Sequence, residues 1–190
     1  MPEQFSLPGF DLAPAHALFF AVMPPAADLP RIEQRAQAML RQHGLSGKPI
    51  RADRKHVTLM SLGTYDGAVP QDLIDAASAV ASANVVPGFE LVFDRALSFK
   101  GSGAFVLAGD DVTAPITAFR QTLHAALAQA GLRTRPSNTA HMTLAYDDRH
   151  VEEQRIEPIR FAVQAVVLID SLVGQGVHRH LGQWPLLPRP

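Results

Sequence analysis

The apolar and polar positions of the chain follow the same order twice. The first copy contains an apolar strand-like run, an amphipathic segment and a second strand-like run, at 17–24, 31–45 and 55–63. The second copy contains the same three features in the same order, at 103–110, 116–132 and 140–148. Apolar residues in the amphipathic segments gather on one helical face, as is typical of an α-helix packed on a core. The pattern therefore predicts a duplicated β-α-β unit.

Glycines and further strand-like segments complete each copy. Gly44 and Gly131 stand where a helix needs a left-handed C-terminal residue. Another strand-like segment follows each copy, at 87–99 and 157–172, and a third helix is predicted at 71–83. Short helices and turn-rich connectors favour mixed or antiparallel sheets over a doubly wound sheet.

These elements predict an α+β fold in which two pseudo-symmetric lobes, with mainly antiparallel sheets, surround a central cleft. The length suits one ordinary domain or two small halves that share a core. We expect residues 1–190 to form a single bilobal domain with half-repeats at about 17–99 and 103–182, which can be intertwined.

The most faithful part of the repeat is the polar motif His-x-Thr-Leu. It occurs as His56 with Thr58 and again as His141 with Thr143, at equivalent places in the two copies. On a β-strand, residues i and i+2 point to the same face. Each motif therefore presents an imidazole beside a hydroxyl, and an approximate two-fold axis would bring both pairs to one cleft.

Two imidazoles and two hydroxyls suit the chemistry of a phosphate ester. A neutral imidazole can take a proton from water or a ribose hydroxyl, while an imidazolium can give one to the leaving oxygen. Histidine titrates near pH 6.5, so both forms are accessible near neutrality. Threonine hydroxyls can donate to the non-bridging phosphate oxygens, and no metal is required. One such pair on a strand is commonly structural, but its recurrence in the repeat favours a functional role.

Composition removes several other classes of protein. The chain has 190 residues, 47% of them hydrophobic, with a formal net charge of −1 and no cysteine. Thiolate zinc sites, iron–sulfur clusters, disulfide scaffolds and cysteine nucleophiles are excluded. A near-neutral charge argues against a long nucleic-acid footprint but permits a small anionic substrate.

Neither a metal nor a membrane is expected. His178 and His180 alternate on a predicted last strand, but no further ligands stand at a suggestive spacing, and we expect no metal and no cofactor. The first residues lack the basic region and long apolar run of a signal peptide, so we expect a cytoplasmic protein. The other histidines are predicted to lie on the surface or beside helices, namely His16, His43, His124 and His150.

The doubled motif, with the opening LFFAVMPP and the late segments VVLIDSL and WPL, resembles the 2H phosphoesterase superfamily. The resemblance covers roughly residues 17–187 and points to the RNA 2′,3′-cyclic phosphodiesterases, also called 2′–5′ RNA ligases. It implies metal-independent hydrolysis of a 2′,3′-cyclic phosphate to a 2′-phosphomonoester, with reversible 2′–5′ ligation. It also implies an active site of His56, Thr58, His141 and Thr143. By motif order, His56 would be the acid on the leaving 3′ oxygen and His141 the base on water.

Further substrate contacts are predicted near the motifs. Arg135 and Arg51 lie in basic connectors that enter the two motif strands, and Tyr146 offers a ring for stacking on a base. Met60 and Tyr146 stand where members of the RNA branch often carry arginine. A small cyclic nucleotide, a 2′–5′ oligonucleotide or an ADP-ribose cyclic phosphate therefore stays open beside an RNA 3′ end as the substrate.

Two other functions are compatible with the same residues. The cleft could bind RNA ends or nucleotides without catalysis, or it could hold a metal-dependent phosphoesterase site. Prolonged incubation with a cyclic phosphate separates the first from catalysis, and a chelator separates the second. We expect no obligate protein partner and a monomer.

Overall fold

The computed structural model describes residues 15–84, 86–109, 113–136 and 139–188. The α-helices are α1 (Leu29–Gln42), α2 (Gln71–Ala83) and α3 (Thr113–Gln129). The strands are β1 (Ala15–Val22), β2 (Val57–Asp66), β3 (Phe89–Ser98), β4 (Ala104–Ala108), β5 (Arg135–Pro136), β6 (His141–Tyr146), β7 (Gln154–Val163), β8 (Ala165–Leu172) and β9 (Val177–Pro185).

The strands form two sheets. The first has five strands in the order β5-β2-β1-β8-β9, and the second has four in the order β6-β4-β3-β7. Each pair of neighbouring strands is antiparallel. The predicted α+β fold with two pseudo-symmetric lobes is confirmed, and each sheet carries one of the two histidine motifs on β2 or β6.

The three predicted helices are confirmed, with ends shifted by a few residues. Gly44 (φ 60°) and Gly131 (φ 78°) are both left-handed, and each stops its helix as predicted. The strand predicted at 87–99 is confirmed as β3.

The single strand predicted at 157–172 is wrong, because this run contains two strands in different sheets. β7 pairs with β3, whereas β8 pairs with β1 and β9. The chain leaves one sheet at Gln164, whose carbonyl accepts a hydrogen bond from the Leu186 N–H (2.8 Å). A single polar residue between apolar residues, as at Gln164, does not by itself show where one strand ends and the next begins.

The connector before each motif reaches the sheet that holds the other motif. Before β2, Pro49 bridges to Ala145 of β6, and Ile50 N–H donates to the Leu144 carbonyl (2.7 Å). Before β6, β5 pairs with β2 through Arg135 and Ser61. The motif strands are thus held by connectors that cross between the two sheets.

A carboxylate secures the first of these connectors. Asp147, directly after β6, accepts hydrogen bonds from the backbone N–H groups of Ser46 (2.7 Å) and Gly47 (2.7 Å). A Cβ atom at Gly47 would lie 1.9 Å from the Tyr146 carbonyl oxygen, so only glycine permits this approach. The contact ties the connector that leads to His56 to the end of β6.

One core joins both sheets to the helices, and a smaller apolar cluster lies apart from it. The large core includes Phe20, Phe93 and Phe105, all fully buried. In the small cluster, half-buried Phe19 and Met23 pack against three buried residues, namely Ala21, Val167 and Ile169. Ala21 is the register partner of Thr58, so the small cluster adjoins the first motif.

The sequence predicted that His16 lies on the surface or beside a helix, and this prediction is wrong. His16 is 8% exposed, and its Nδ1 lies 2.8 and 2.9 Å from the two carboxylate oxygens of Asp170 on β8. The pair joins neighbouring strands β1 and β8. A buried aspartate needs such a partner, but the separation of the two residues in the chain hides it from the sequence.

Candidate functional site

The two motifs occupy the starts of β2 and β6. His56 directly precedes β2, and His141 is the first residue of β6. Both histidines and both threonines are half-buried, while the residues between and after them are fully buried, namely Val57, Leu59, Met142 and Leu144. The predicted alternation is therefore present on both strands. β2 and β6 also approach each other to within 8 Å between Cα atoms.

Each motif strand has a β-bulge at the leucine that follows the threonine. Against β1, the pairing passes from Met60 directly to Thr58, which leaves Leu59 as the extra residue. Against β4, it passes from Ala145 to Thr143 and leaves Leu144 as the extra residue. A bulge kinks and twists a strand and commonly lies beside an active site. The duplication therefore includes a local distortion of the backbone as well as the polar residues.

The bulge in β6 changes the direction of Tyr146. In a regular strand, a residue five positions after His141 would face away from it. Leu144 and Ala145 are both buried, whereas Tyr146 is 55% exposed. The extra residue returns Tyr146 to the side of His141 and Thr143.

Both candidate catalytic imidazoles are held in the same orientation by the backbone. His56 Nδ1 lies 2.7 Å from the Arg54 carbonyl oxygen, and His141 Nδ1 lies 2.9 Å from that of Thr139. In each case the carbonyl belongs to the residue two positions earlier. A carbonyl can only accept, so Nδ1 donates, and in the neutral ring Nε2 carries the lone pair. Nε2 is thus the atom left to exchange protons with a substrate.

The pKa of each imidazole lies below the usual histidine value. Burial is the main cause for His56, and the neighbouring charges of His141, Arg54 and His180 lower its pKa further. Burial is also the main cause for His141, followed by the nearby charge of Arg120. Each hydrogen bond to a carbonyl acts in the opposite direction, because it favours the protonated ring. The contribution of His141 to the lowered pKa of His56 agrees with the close approach of β2 and β6.

His56 sits in a cluster of three rings. Its ring centroid is 5.2 Å from that of Phe19 and 5.2 Å from that of His178. Phe19 and His178 also contact each other edge to face at 5.8 Å. This cluster fixes the imidazole against the open face of the five-stranded sheet.

The surroundings of His141 consist of one aromatic ring and one nearby charge, that of Arg120. The sequence did not identify Arg120. The His141 ring contacts Phe99 edge to face, with centroids 4.8 Å apart. Arg120 of α3 is 7% exposed, and its Nη2 donates to the Thr58 carbonyl oxygen (2.5 Å). Arg120 therefore bonds to one motif and imposes its charge on the other. The sequence signal is a charged residue on the apolar face of a helix, four positions after Ile116 and three before Leu123.

The predicted substrate contacts lie in three different surroundings. Arg51 is exposed and makes a two-pronged ion pair with Asp53 (3.0 and 2.6 Å). Arg135 lines a cavity of about 750 Å³ between β2, β5 and α3, and neither histidine nor threonine of the motifs lines it. Tyr146 borders a separate cavity of about 330 Å³ with Asp147. The strands of the two motifs approach each other, and Arg51, Arg135 and Tyr146 stay predicted substrate contacts.

The described part of the chain shows neither a metal cluster nor a helix that could span a membrane. Within residues 15–84, 86–109, 113–136 and 139–188, no group of three side chains is arranged to hold a metal ion. No helix in these ranges is long and apolar enough to cross a membrane.

Comparisons with known proteins agree with the fold. A family model described as the 2′-5′ RNA ligase superfamily matches residues 24–175. The structure is similar to E. coli LigT in apo form, with 28% identity, a TM-score of 0.68 and coverage of 91% of this chain and 98% of LigT. E. coli LigT complexed with 3′-AMP is similar at 26% identity and a TM-score of 0.70, with 90% and 98% coverage. The protein TT0787 of Thermus thermophilus shares the fold at 19% identity and a TM-score of 0.64, with 90% and 97% coverage. No protein with a curated description matches in sequence.

Proposed function

Because the chain belongs to the 2′-5′ RNA ligase superfamily, we propose that it is a metal-independent phosphodiesterase acting on 2′,3′-cyclic phosphates of RNA ends or nucleotides. Its product is a 2′-phosphomonoester, and reversible 2′–5′ ligation is a related activity. The observation that carries this proposal is the pair of imidazoles, each anchored through Nδ1 to a carbonyl two residues earlier. This anchoring leaves both Nε2 atoms for proton transfer.

The reaction needs one proton acceptor and one donor on opposite sides of the phosphorus. His141 Nε2 takes a proton from water, and the water oxygen forms the new bond to phosphorus. The bond from phosphorus to the ribose 3′ oxygen breaks, and that oxygen keeps the electron pair and receives a proton from His56 Nε2. The 2′ ester bond is untouched. Exchange with solvent then returns His56 to its protonated form and His141 to its neutral form.

The surroundings of each histidine are compatible with these roles. The lowered pKa of His141 keeps its ring neutral, as a base requires. His56 must be protonated to act as the acid, and a phosphate anion beside it favours that form. A group with a lowered pKa is also a stronger acid once it is protonated.

The hydroxyls and Arg120 supply the remaining polar contacts. Thr58 and Thr143 share the faces of their histidines and can donate to the non-bridging oxygens of the phosphate. Arg120 acts at longer range: its bond to the Thr58 carbonyl oxygen holds the start of β2, and its positive charge favours an anion between the motifs. Arg120 is therefore a positioning residue rather than a proton carrier.

Complexes of a relative support a phosphorylated nucleotide as the substrate. E. coli LigT, 26% identical in these matches, has been crystallised with 3′-AMP, ATP and NADP+. A further structure, 25% identical, holds phosphate. In this chain, the small apolar cluster beside Thr58, topped by Phe19 and Met23, offers an apolar surface for a base or a ribose next to the candidate site.

A hydrolysis assay with product identification tests the proposal. The substrates are 2′,3′-cyclic mononucleotides, oligonucleotides with a 2′,3′-cyclic end and 2′–5′ oligoadenylates, each with and without EDTA. We expect 2′-phosphate products from the cyclic substrates and no loss of activity with the chelator. Tight binding without product would instead support a non-catalytic module. Activity abolished by EDTA and restored by a divalent ion would support the metal-dependent alternative.

A further inference from the structure

A group of basic side chains lies on the side of His56 that faces β9. It consists of Arg54 in the turn before β2 and of His178 and His180 on β9, and we call it the β9 corner. The second motif has no equivalent of this group among the described residues, because the corner depends on β9 and on the turn at Ala52–Arg54. The β9 corner therefore belongs to the first motif only.

Two polar atoms in the β9 corner are buried without a hydrogen-bond partner among the described residues. They are Nε of Arg54 and Nδ1 of His178. A buried polar atom without a partner is destabilising and uncommon in folded proteins, and a catalytic role or a bound ion or water is the usual explanation. Both atoms lie beside the candidate catalytic His56, since the Arg54 carbonyl accepts its Nδ1 hydrogen bond and His178 contacts its ring.

The Arg54 side chain is held in place by its neighbours. Its Nη1 lies 3.1 Å from the position that a Cβ atom at Gly176 would occupy, in the turn between β8 and β9. Gly176 has φ 67° and is half-buried. The guanidinium therefore packs against this turn without a carboxylate partner in the described residues. Asp53, the acidic neighbour, is already bound by both prongs of Arg51.

The charges around His178 are predominantly positive. Burial, with the charges of His56, Arg54 and His180, lowers the pKa of His178 to about 4, and only Asp53 acts in the opposite direction. Arg54 is the permanent cation among these groups, and no carboxylate of the described residues pairs with it, so its positive charge is not balanced at this place. An anion in the β9 corner would relieve this repulsion and supply an acceptor for the unpartnered donors.

We propose that Arg54 and His178, with His180 at the rim, form a subsite for a second phosphate group of the substrate, next to the reacting phosphate at His56. This inference rests on the proposed function for the identity of the reacting group. It defines the substrate class more narrowly as a cyclic nucleotide that also carries a 5′-phosphate, as the last nucleotide of an RNA chain does. A nucleoside 2′,3′-cyclic phosphate without the 5′-phosphate would leave the β9 corner empty.

Binding of two inert product analogues tests the subsite without any catalytic step. Adenosine 2′-phosphate and adenosine 2′,5′-bisphosphate differ only in the 5′-phosphate, and calorimetry gives the Kd of each. We expect the bisphosphate to bind at least about tenfold more tightly to the wild-type protein, since a hydrogen bond to a charged group contributes on that order. In Arg54→Gln and in His178→Gln the ratio should fall to about threefold or less. Arg179→Gln, an exposed change on the same strand between the two histidines, should keep the full ratio.

A titration of the wild-type protein removes any dependence on the folding of the variants. The His178 imidazole, followed by NMR, should show a rise in pKa when the bisphosphate binds and a much smaller rise with the monophosphate. Equal Kd values for the two ligands in the wild-type protein would overturn the subsite, and so would a ratio that survives both substitutions. The outcomes also separate from those of the proposed function. If the bisphosphate binds more tightly but no cyclic phosphate is hydrolysed, the subsite is supported and the proposed reaction is wrong. If cyclic phosphates are hydrolysed but the bisphosphate binds no more tightly, only the subsite is wrong.

Discussion

The two motif regions share one backbone design but have different neighbours. In both, a histidine donates from Nδ1 to the carbonyl two residues earlier, a threonine follows on the same face, and a bulge occurs at the next leucine. Around His56 the neighbours are Phe19, His178 and Arg54, whereas His141 has Phe99 and the charge of Arg120.

This difference shows how a duplicated fold can give two equal groups unequal tasks. The repeat supplies two imidazoles with the same orientation, and burial together with different neighbouring charges sets the pKa of each. The charge of Arg120 on α3 lowers the pKa of His141, whereas His178 on β9 contacts the ring of His56. The asymmetry that an acid and a base require is therefore found in the side chains around the two imidazoles and not in the repeated motif itself.

The largest expected effect comes from removing either imidazole. His56→Ala and His141→Ala should each lower the turnover of a 2′,3′-cyclic nucleotide by at least about 100-fold, the usual scale for losing a general acid or base. His150→Ala, at an exposed histidine outside the motifs, is the matched control and should keep wild-type turnover. Steady-state kinetics measures all three. Wild-type turnover in both motif variants would rule out two-histidine catalysis.

Removing the hydroxyl of either motif threonine should lower turnover less than removing an imidazole does, and it should do so in both motifs. Thr58→Val and Thr143→Val each keep a β-branched side chain but remove a donor to the phosphate, so we expect kcat to fall by about 10- to 100-fold. The ratio of the two effects measures how symmetrically the phosphate sits between the motifs. Ser61→Ala on β2 is the control. A loss confined to KM would show that the hydroxyls bind the substrate without stabilising the transition state.

Arg120 gives a way to reduce the difference between the motifs. Arg120→Met removes the charge that lowers the pKa of His141, so that pKa should rise and the basic form should appear at higher pH. We expect about a tenfold loss of kcat, since the Thr58 carbonyl also loses its donor. The acidic limb of the pH profile of kcat/KM should shift to higher pH. Arg120→Lys should restore much of the wild-type profile. An unmoved limb in the methionine variant would contradict this electrostatic role.

The smallest expected effect concerns stability in acid. His178 has a folded-state pKa of about 4 against a usual value of 6.5. A lowered pKa means that the unfolded chain binds the proton first, so stability is full above about pH 6.5 and is lost as the pH falls towards 4. His178→Gln should therefore lose less stability than the wild-type protein over this window, by a few degrees in Tm. Thermal unfolding at several pH values measures this, with His150→Gln as control, and equal losses in all three proteins would contradict the assignment.

Local patterns in the sequence predicted much of this molecule. The helical periodicity at 116–132, the left-handed glycines and the alternation around His56 and His141 each depend on residues close in the chain. The pairing of the repeated motif also pointed to the candidate site before its geometry was known. Such features are set by backbone conformation and by which face is buried.

Other features depend on residues far apart in the chain, and no local pattern predicts them. The bulges at Leu59 and Leu144 are defined only by the strand that lies opposite. The change of sheet at Gln164 is set by the partners of the two strands, since β7 pairs with β3 and β8 with β1 and β9. Tyr146 illustrates the consequence, because its direction follows from the bulge and not from its distance in sequence from His141.

The crossed connectors limit how the cleft can change in width. A lobe that closes on its substrate turns about a segment that few bonds cross. Here the connector before β2 pairs with β6 through Pro49 and Ala145, and the connector before β6 pairs with β2 through Arg135 and Ser61. Asp147 also holds the first connector by hydrogen bonds. Any relative rotation would have to break strand pairing on both sides. Main-chain bonds therefore set the separation of the His56 and His141 rings before the substrate binds. Adjustment to a particular ligand is left to the side chains at the edge of the cleft.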